Sequence, residues 1–123
     1  MNVAPILIVE DEPDGQLLVS RMLAVVGIAV EVAPDGETAW NMLGTKVYKA
    51  AIVDLALPGM DGVALLRKIR SDTELATLPC IAITAYHTPE LKQQALTEGF
   101  DAYFAKPLDR TLFLGALDGV LER

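Results

Sequence analysis

Short apolar runs and amphipathic stretches alternate along the whole chain. The first run, Ala4-Pro5-Ile6-Leu7-Ile8-Val9, is continuous, as expected of a strand covered on both faces. A helix pattern follows. Pro13 suits a first helical turn, the acids around it suit the positive end of the helix dipole, and Leu18, Met22, Val25 and Val26 form one stripe that ends at Gly27. Residues 28–33 alternate weakly and predict a second, edge strand, and residues 35–43, with Trp40, predict a helix stopped near Gly44. Strand three is predicted over 50–54. Asp61 suits the cap of a helix with Val63, Leu66 and Ile69 on one face, and residues 79–84 read as strand four. Thr88 and Pro89 open a fourth helix as cap and first residue, with Leu91, Ala95 and Leu96 inward and Gly99 as its stop. Residues 101–105 predict a short fifth strand. Asp109 caps a last helix carrying Leu112, Phe113, Ala116, Leu117 and Val120.

Five strand patterns alternating with five helix patterns argue for an α/β layer fold: a parallel sheet, right-handed crossovers and helices on both faces. With 123 residues the chain fits one domain, and 52% hydrophobic against 22% charged residues is ordinary for a folded core. The apolar stretch over 22–30 is far shorter than the ~18 residues a membrane helix needs. No secretory signal is legible at the N-terminus, since acids and not bases flank its apolar run. The single cysteine, Cys80, lies in an apolar run, which predicts a buried thiol in a reducing compartment, the cytoplasm.

The net charge of −7 is local. Residues 1–40 hold seven acids and one base, Arg21, whereas the rest of the chain is nearly balanced. Such a surface repels phosphate backbones, and the one basic cluster, Arg67-Lys68-x-Arg70, reads as a solvated helix face, so neither nucleic acid nor a membrane is an expected partner.

In open parallel sheets, ligands bind beyond the carboxyl ends of the strands. Five polar residues of this chain fall there: Glu10 and Asp11 after strand one, Asp54 at the end of strand three, Thr84 at the end of strand four, and Lys106 after strand five. Singly, each has a plain explanation as a solvated or strand-end residue. Jointly they do not, because carboxylates gathered beside a buried run require a compensating cation. Oxygen ligands favour Mg2+ over zinc, for which the chain offers one Cys and one His.

Five motifs in order give the chain a resemblance to the receiver domain of bacterial two-component response regulators. They are Ile6-Leu7-Ile8-Val9-Glu10-Asp11-Glu12, the Asp54 segment with Pro58-Gly59 and Asp61-Gly62, Ile83-Thr84-Ala85, Gly99-Phe100-Asp101-Ala102-Tyr103, and Lys106-Pro107. The resemblance implies a flavodoxin-like doubly wound sheet of order 2-1-3-4-5 and a single receiver over residues 1–123 without an output domain. It implies that Asp54 is the phosphoacceptor, taking a phosphoryl group from a phosphohistidine of a sensor kinase or phosphotransfer protein. Asp11, Asp54 and the Ala56 backbone carbonyl would bind Mg2+, with Glu10 acting through water. Lys106 and the Thr84 hydroxyl would hold the phosphoryl oxygens, Ala85 would leave room for them, and the Lys106–Pro107 bond would be cis. Tyr103 would be the switch aromatic that follows Thr84. The fourth helix, fifth strand and fifth helix would form the partner-facing surface for a downstream target, an output domain or a phosphorylation-dependent homodimer. Ala56 and Tyr86, which would line the path of an attacking water, are poor at orienting it and imply slow self-dephosphorylation. The chain would thus be a signalling domain rather than a metabolic enzyme, and Met1 favours a stand-alone receiver over an excised one.

Two other functions share the architecture. A flavin-binding electron carrier needs open amides after strand one, where this chain has Glu10-Asp11-Glu12-Pro13-Asp14. An aspartyl-phosphate phosphohydrolase needs a second acid two residues after the nucleophile, where this chain has Ala56. A receiver-like module that signals by contact alone would not need the full set of acids, Thr84 and Lys106.

Overall fold

A computed structural model describes residues 4–122. The elements follow in the order β1 (Ile6–Val9), α1 (Pro13–Val25), β2 (Val30–Ala33), α2 (Gly36–Thr45), β3 (Ala50–Asp54), α3 (Gly62–Ser71), β4 (Cys80–Thr84), α4 (Pro89–Glu98), β5 (Ala102–Ala105) and α5 (Arg110–Leu121). All strand pairs are parallel and the sheet order is β2-β1-β3-β4-β5. The architecture is the one the alternating pattern predicts, with β2 at an edge.

Alternation along each buried strand sorts the core into two layers. Leu7, Val9, Ala51, Val53, Cys80 and Ala82 face α2, α3 and α4, whose Leu43, Leu66 and Ala95 cover them. Ile6, Ile8, Ile52, Ile81 and Ile83 face α1 and α5, where Leu23, Phe113 and Leu117 close the other layer. Both faces being covered explains why the central strands read as continuous apolar runs.

Helix starts match their sequence signals. Asp35, Asp61, Thr88 and Asp109 each accept a hydrogen bond from the backbone N–H three residues on, and Pro13 and Pro89 occupy first positions. Gly99 ends α4 at φ +120°.

Inward faces were less legible. In α1 the buried residues are Val19, Met22 and Leu23, whereas Leu18, Val25 and Val26 are 47%, 62% and 51% exposed. This helix carries more apolar residues than one face can hold, so spacing alone admits several stripes; packing against β1, β2 and α5 selects this one. Leu96 and Leu112 also face solvent, as Ala95 and Phe113 take the inward positions beside them. Helix α2 runs through Gly44 to Thr45, closed by the Lys46 N–H on the Met42 carbonyl.

The basic cluster on α3 is not one solvated face. Arg67 makes a two-pronged pair with Glu98 of α4, and Lys68 lies 5.2 Å from the centre of the Trp40 ring. Arg70 folds inward to donate to the carbonyls of Ala76, Leu78 and Gly99 and to Asp101. Among the described residues, no helix is long and apolar enough to cross a membrane.

Candidate functional site

Strand β1 pairs with both β2 and β3, so the winding direction reverses between β1 and β3 and opens a crevice at their carboxyl ends. Glu10 and Asp11 leave β1 at this crevice and Asp54 ends β3 beside it. Glu10, Asp11 and Asp54 each offer a carboxylate oxygen within 4.8 Å of the others. Glu10 and Asp54 are buried and Asp11 is exposed, so the cluster opens to solvent on one side.

Lys106 closes the other side. It follows β5 in a cis Lys106–Pro107 unit, and its backbone N–H donates to the Thr84 carbonyl at 2.8 Å. Its ammonium donates to Glu10 Oε1 at 2.5 Å and to Asp54 Oδ2 at 2.8 Å. Burial works against that charge, but the hydrogen bonds to Asp54 and Glu10 outweigh it and hold the Lys106 pKa above its usual value. Burial pushes the Glu10 carboxyl up; the Lys106 contact opposes this and the nearby Asp54 charge adds to it.

The loop after β3 fixes Asp54 from the backbone side. Asp54 Oδ1 accepts the Ala56 N–H at 2.8 Å, and the Gly62 N–H returns to the Leu55 carbonyl at 3.2 Å. A Cβ on Gly62 would stand 2.7 Å from the Asp54 carbonyl oxygen and 2.8 Å from Leu55 Cα, both backbone atoms. Only glycine lets α3 start this close to the acid.

Thr84 is 1% exposed, and its hydroxyl accepts the Tyr86 N–H at 3.0 Å. It shares a cleft of about 220 Å³ with Leu55, Ala56, Arg67 and Tyr86 on the α3–α4 side of Asp54. Ala85 is exposed. Tyr103, half-buried on β5, has its hydroxyl 2.9 Å from His87 Nδ1, with the two rings tilted at 55°. His87 is exposed but is tied to Tyr103, a contact that nothing in the spacing of the two residues reveals.

Three carboxylates and a lysine thus meet where the predicted rim lies, with Thr84 and Ala56 beside them. The donor set is all oxygen, one side is open, and the cluster carries more negative than positive charge, which fits a hard divalent cation. The same acids would repel a flavin phosphate.

Residues 6–118 match the family model described as response regulator receiver domain. The chain belongs to this family. It is 35% identical over 119 residues to chemotaxis protein CheY-3 of Vibrio cholerae, spanning 96% of this receiver and 92% of that protein. It is 41% identical over 104 residues to an uncharacterized 14.6 kDa protein of Leptolyngbya boryana, spanning 85% of this receiver and 79% of that protein. The receiver spans only 13% of a gliding motility regulatory protein of Myxococcus xanthus and 50% of response regulator RppA of Synechocystis. Among solved structures, a putative response regulator from Chloroflexus aurantiacus superposes with TM-score 0.94 at 28% identity, covering 99% of this receiver and 100% of that chain. The receiver domain of a sensor histidine kinase from Pseudomonas aeruginosa, with a magnesium ion coordinated in its active site cleft, gives TM-score 0.89 at 30% identity, covering 99% and 100%. This receiver is therefore a signalling module of two-component systems, and the electron-carrier and phosphohydrolase readings fall away.

Proposed function

We propose that Asp54 accepts a phosphoryl group from a phosphohistidine of a sensor kinase or phosphotransfer protein, and that the acyl phosphate changes the face formed by α4, β5 and α5. The observation that carries this reading is the Lys106 ammonium shared by two buried acids, Glu10 and Asp54, with the Asp11 carboxylate beside them. In the transfer, an Asp54 oxygen bonds to phosphorus as the P–N bond breaks, and the electron pair leaves with the donor imidazole. Lys106 then turns from the Asp54 carboxylate to a phosphoryl oxygen, and the Thr84 hydroxyl donates its hydrogen to a second phosphoryl oxygen. Asp11, Asp54 and the Ala56 carbonyl would hold Mg2+, with Glu10 acting through water. When bound, the ion supplies positive charge against the phosphoryl oxygens.

Movement of Thr84 toward the phosphoryl group vacates space for Tyr103, which leaves His87 and turns inward, carrying the signal to the outer face of β5 and to a downstream protein, an output domain or a second copy of the chain. The methyl of Ala56 has no polar atom and Tyr86 is 72% exposed, so both orient a hydrolytic water poorly and the modified state decays slowly. The domain assists its own modification and has no other turnover. A histidine kinase partner places it in the cytoplasm. Incubation with a small-molecule phosphodonor should add one phosphoryl mass with Mg2+ and none with EDTA; no gain under either condition would contradict the proposal.

A further inference from the structure

Glu10 stands where Asp11 and Asp54, the other two acids of the cluster, carry a side chain one methylene shorter. Its extra length has to be stored somewhere, and the molecule around it is closed. Glu10 is 0% exposed. Its backbone is pinned on both sides of the peptide: the Glu10 N–H donates to the Ala33 carbonyl at 3.0 Å, and the Glu10 carbonyl accepts from Gln16 Nε2 at 2.7 Å. The main chain therefore has no freedom to retreat, and the side chain needs an empty space to fold into.

That space lies over Gly15, in the first turn of α1. A Cβ built on Gly15 would stand 2.7 Å from Glu10 Cδ and 3.0 Å from Glu10 Cγ, and closer still to Oε1. Carbon atoms do not pack at such separations. Gly15 keeps ordinary helical backbone, as it is absent from the glycines with positive φ, so no turn geometry demands a glycine there. Helix propensity disfavours it, by about 1 kcal/mol relative to alanine. What the glycine provides is room.

We propose that Gly15 is a positioning residue of the acidic site: the missing side chain leaves the space in which the Glu10 carboxylate folds back to Lys106, so that Glu10 and Asp54 share one ammonium and the three acids keep the spacing a divalent ion requires. The inference rests on the proposed function for its link to Mg2+, and on geometry alone for its link to Lys106. A methyl at position 15 displaces the Glu10 carboxylate from this place, which breaks that spacing. An alanine at position 10 has no Cγ or carboxylate to meet the methyl, so the two positions are coupled.

Four chains test this: the unsubstituted protein, Gly15→Ala, Glu10→Ala and the double variant, with Mg2+ binding followed by calorimetry. Gly15→Ala should weaken Mg2+ binding on the order of tenfold when residue 10 is glutamate, the size expected for displacing a group one shell from a metal, and by less than about twofold when it is alanine. Gly115→Ala, where an added methyl meets nothing within 4 Å, controls for stiffening a helix. Unchanged or tighter binding in Gly15→Ala, or equal loss in both backgrounds, overturns the inference. Absence of Mg2+ binding in the unsubstituted protein would instead sink the proposed function. In that event the same four chains are compared by urea unfolding in EDTA, where Gly15→Ala should lower the midpoint when residue 10 is glutamate and raise it in the Glu10→Ala background; any other pattern overturns the inference.

Discussion

The Lys106 ammonium donates to Asp54 Oδ2 at 2.8 Å across 52 residues of sequence, and to Glu10 Oε1 across 96. Removing it leaves two buried carboxylates facing each other with no cation. Lys106→Ala should therefore destabilise the metal-free protein at pH 7 by about 1–3 kcal/mol. The loss should shrink on acidification, because burial already pushes the Glu10 carboxyl up and loss of the ammonium removes what opposes it, so Glu10 takes up a proton more readily than in the unfolded chain and the folded state gains as pH falls. Urea unfolding in EDTA at pH 7 and pH 5 checks both the size and the sign.

The His87–Tyr103 contact, at 2.9 Å, ties the loop after β4 to β5 and holds the Tyr103 hydroxyl toward solvent. In the proposed switch this contact must break. His87→Ala removes a partner worth about 0.5–1.5 kcal/mol, which shifts the inward population of Tyr103 severalfold without phosphorylation. The Tyr103 ring resonances in NMR spectra of the variant should move part of the way toward those of the phosphorylated protein. Unmoved resonances would remove His87 from the switch.

Arg70 joins the loop after α3, the start of β5 and the entry to β4 through the carbonyls of Ala76, Leu78 and Gly99 and the Asp101 carboxylate, which also accepts the Cys80 N–H at 2.8 Å. Arg70→Met keeps the stem and removes the donor shared by these acceptors, and should cost about 2–3 kcal/mol by urea unfolding. Lys68→Met, which alters an exposed contact with Trp40, should cost well under half of that. Similar losses for the two would contradict the distinction.

Burial pushes the Cys80 thiol up to about 12 from an ordinary 9.0, and burial with the Glu31 contact pushes the Tyr48 hydroxyl up to about 12 from 10.0. Both folded values lie above the unfolded ones, so their contributions are intact below about pH 9 and are lost as pH rises toward 12. Stability should fall over that window, and less steeply in Cys80→Ala. The thiol should also resist alkylation in the folded protein at pH 8 and react on unfolding.

The order of elements, the helix caps and the meeting of Glu10, Asp11, Asp54 and Lys106 at one rim were legible because each depends on local pattern plus the general geometry of parallel sheets. What lay beyond sequence reading depended on long-range packing. Leu18 and Val25 fall on the predicted stripe but not on the buried face, because an apolar-rich helix offers several equivalent stripes. Arg70 reads as solvated in the sequence because its four acceptors come from two other segments, residues 76–78 and 99–101. Gly15 gave no signal at all, since its use appears only when the folded length of Glu10 is known.

The measurement that tests the central claim most directly is the position of the modification. After treatment with a phosphodonor and Mg2+, reduction of the acyl phosphate with borohydride converts the modified aspartate to homoserine, which digestion and mass spectrometry can locate. The account predicts homoserine at position 54 alone and no modification in Asp54→Asn. Homoserine at another acid of the unsubstituted protein, or undiminished labelling of Asp54→Asn, would contradict it.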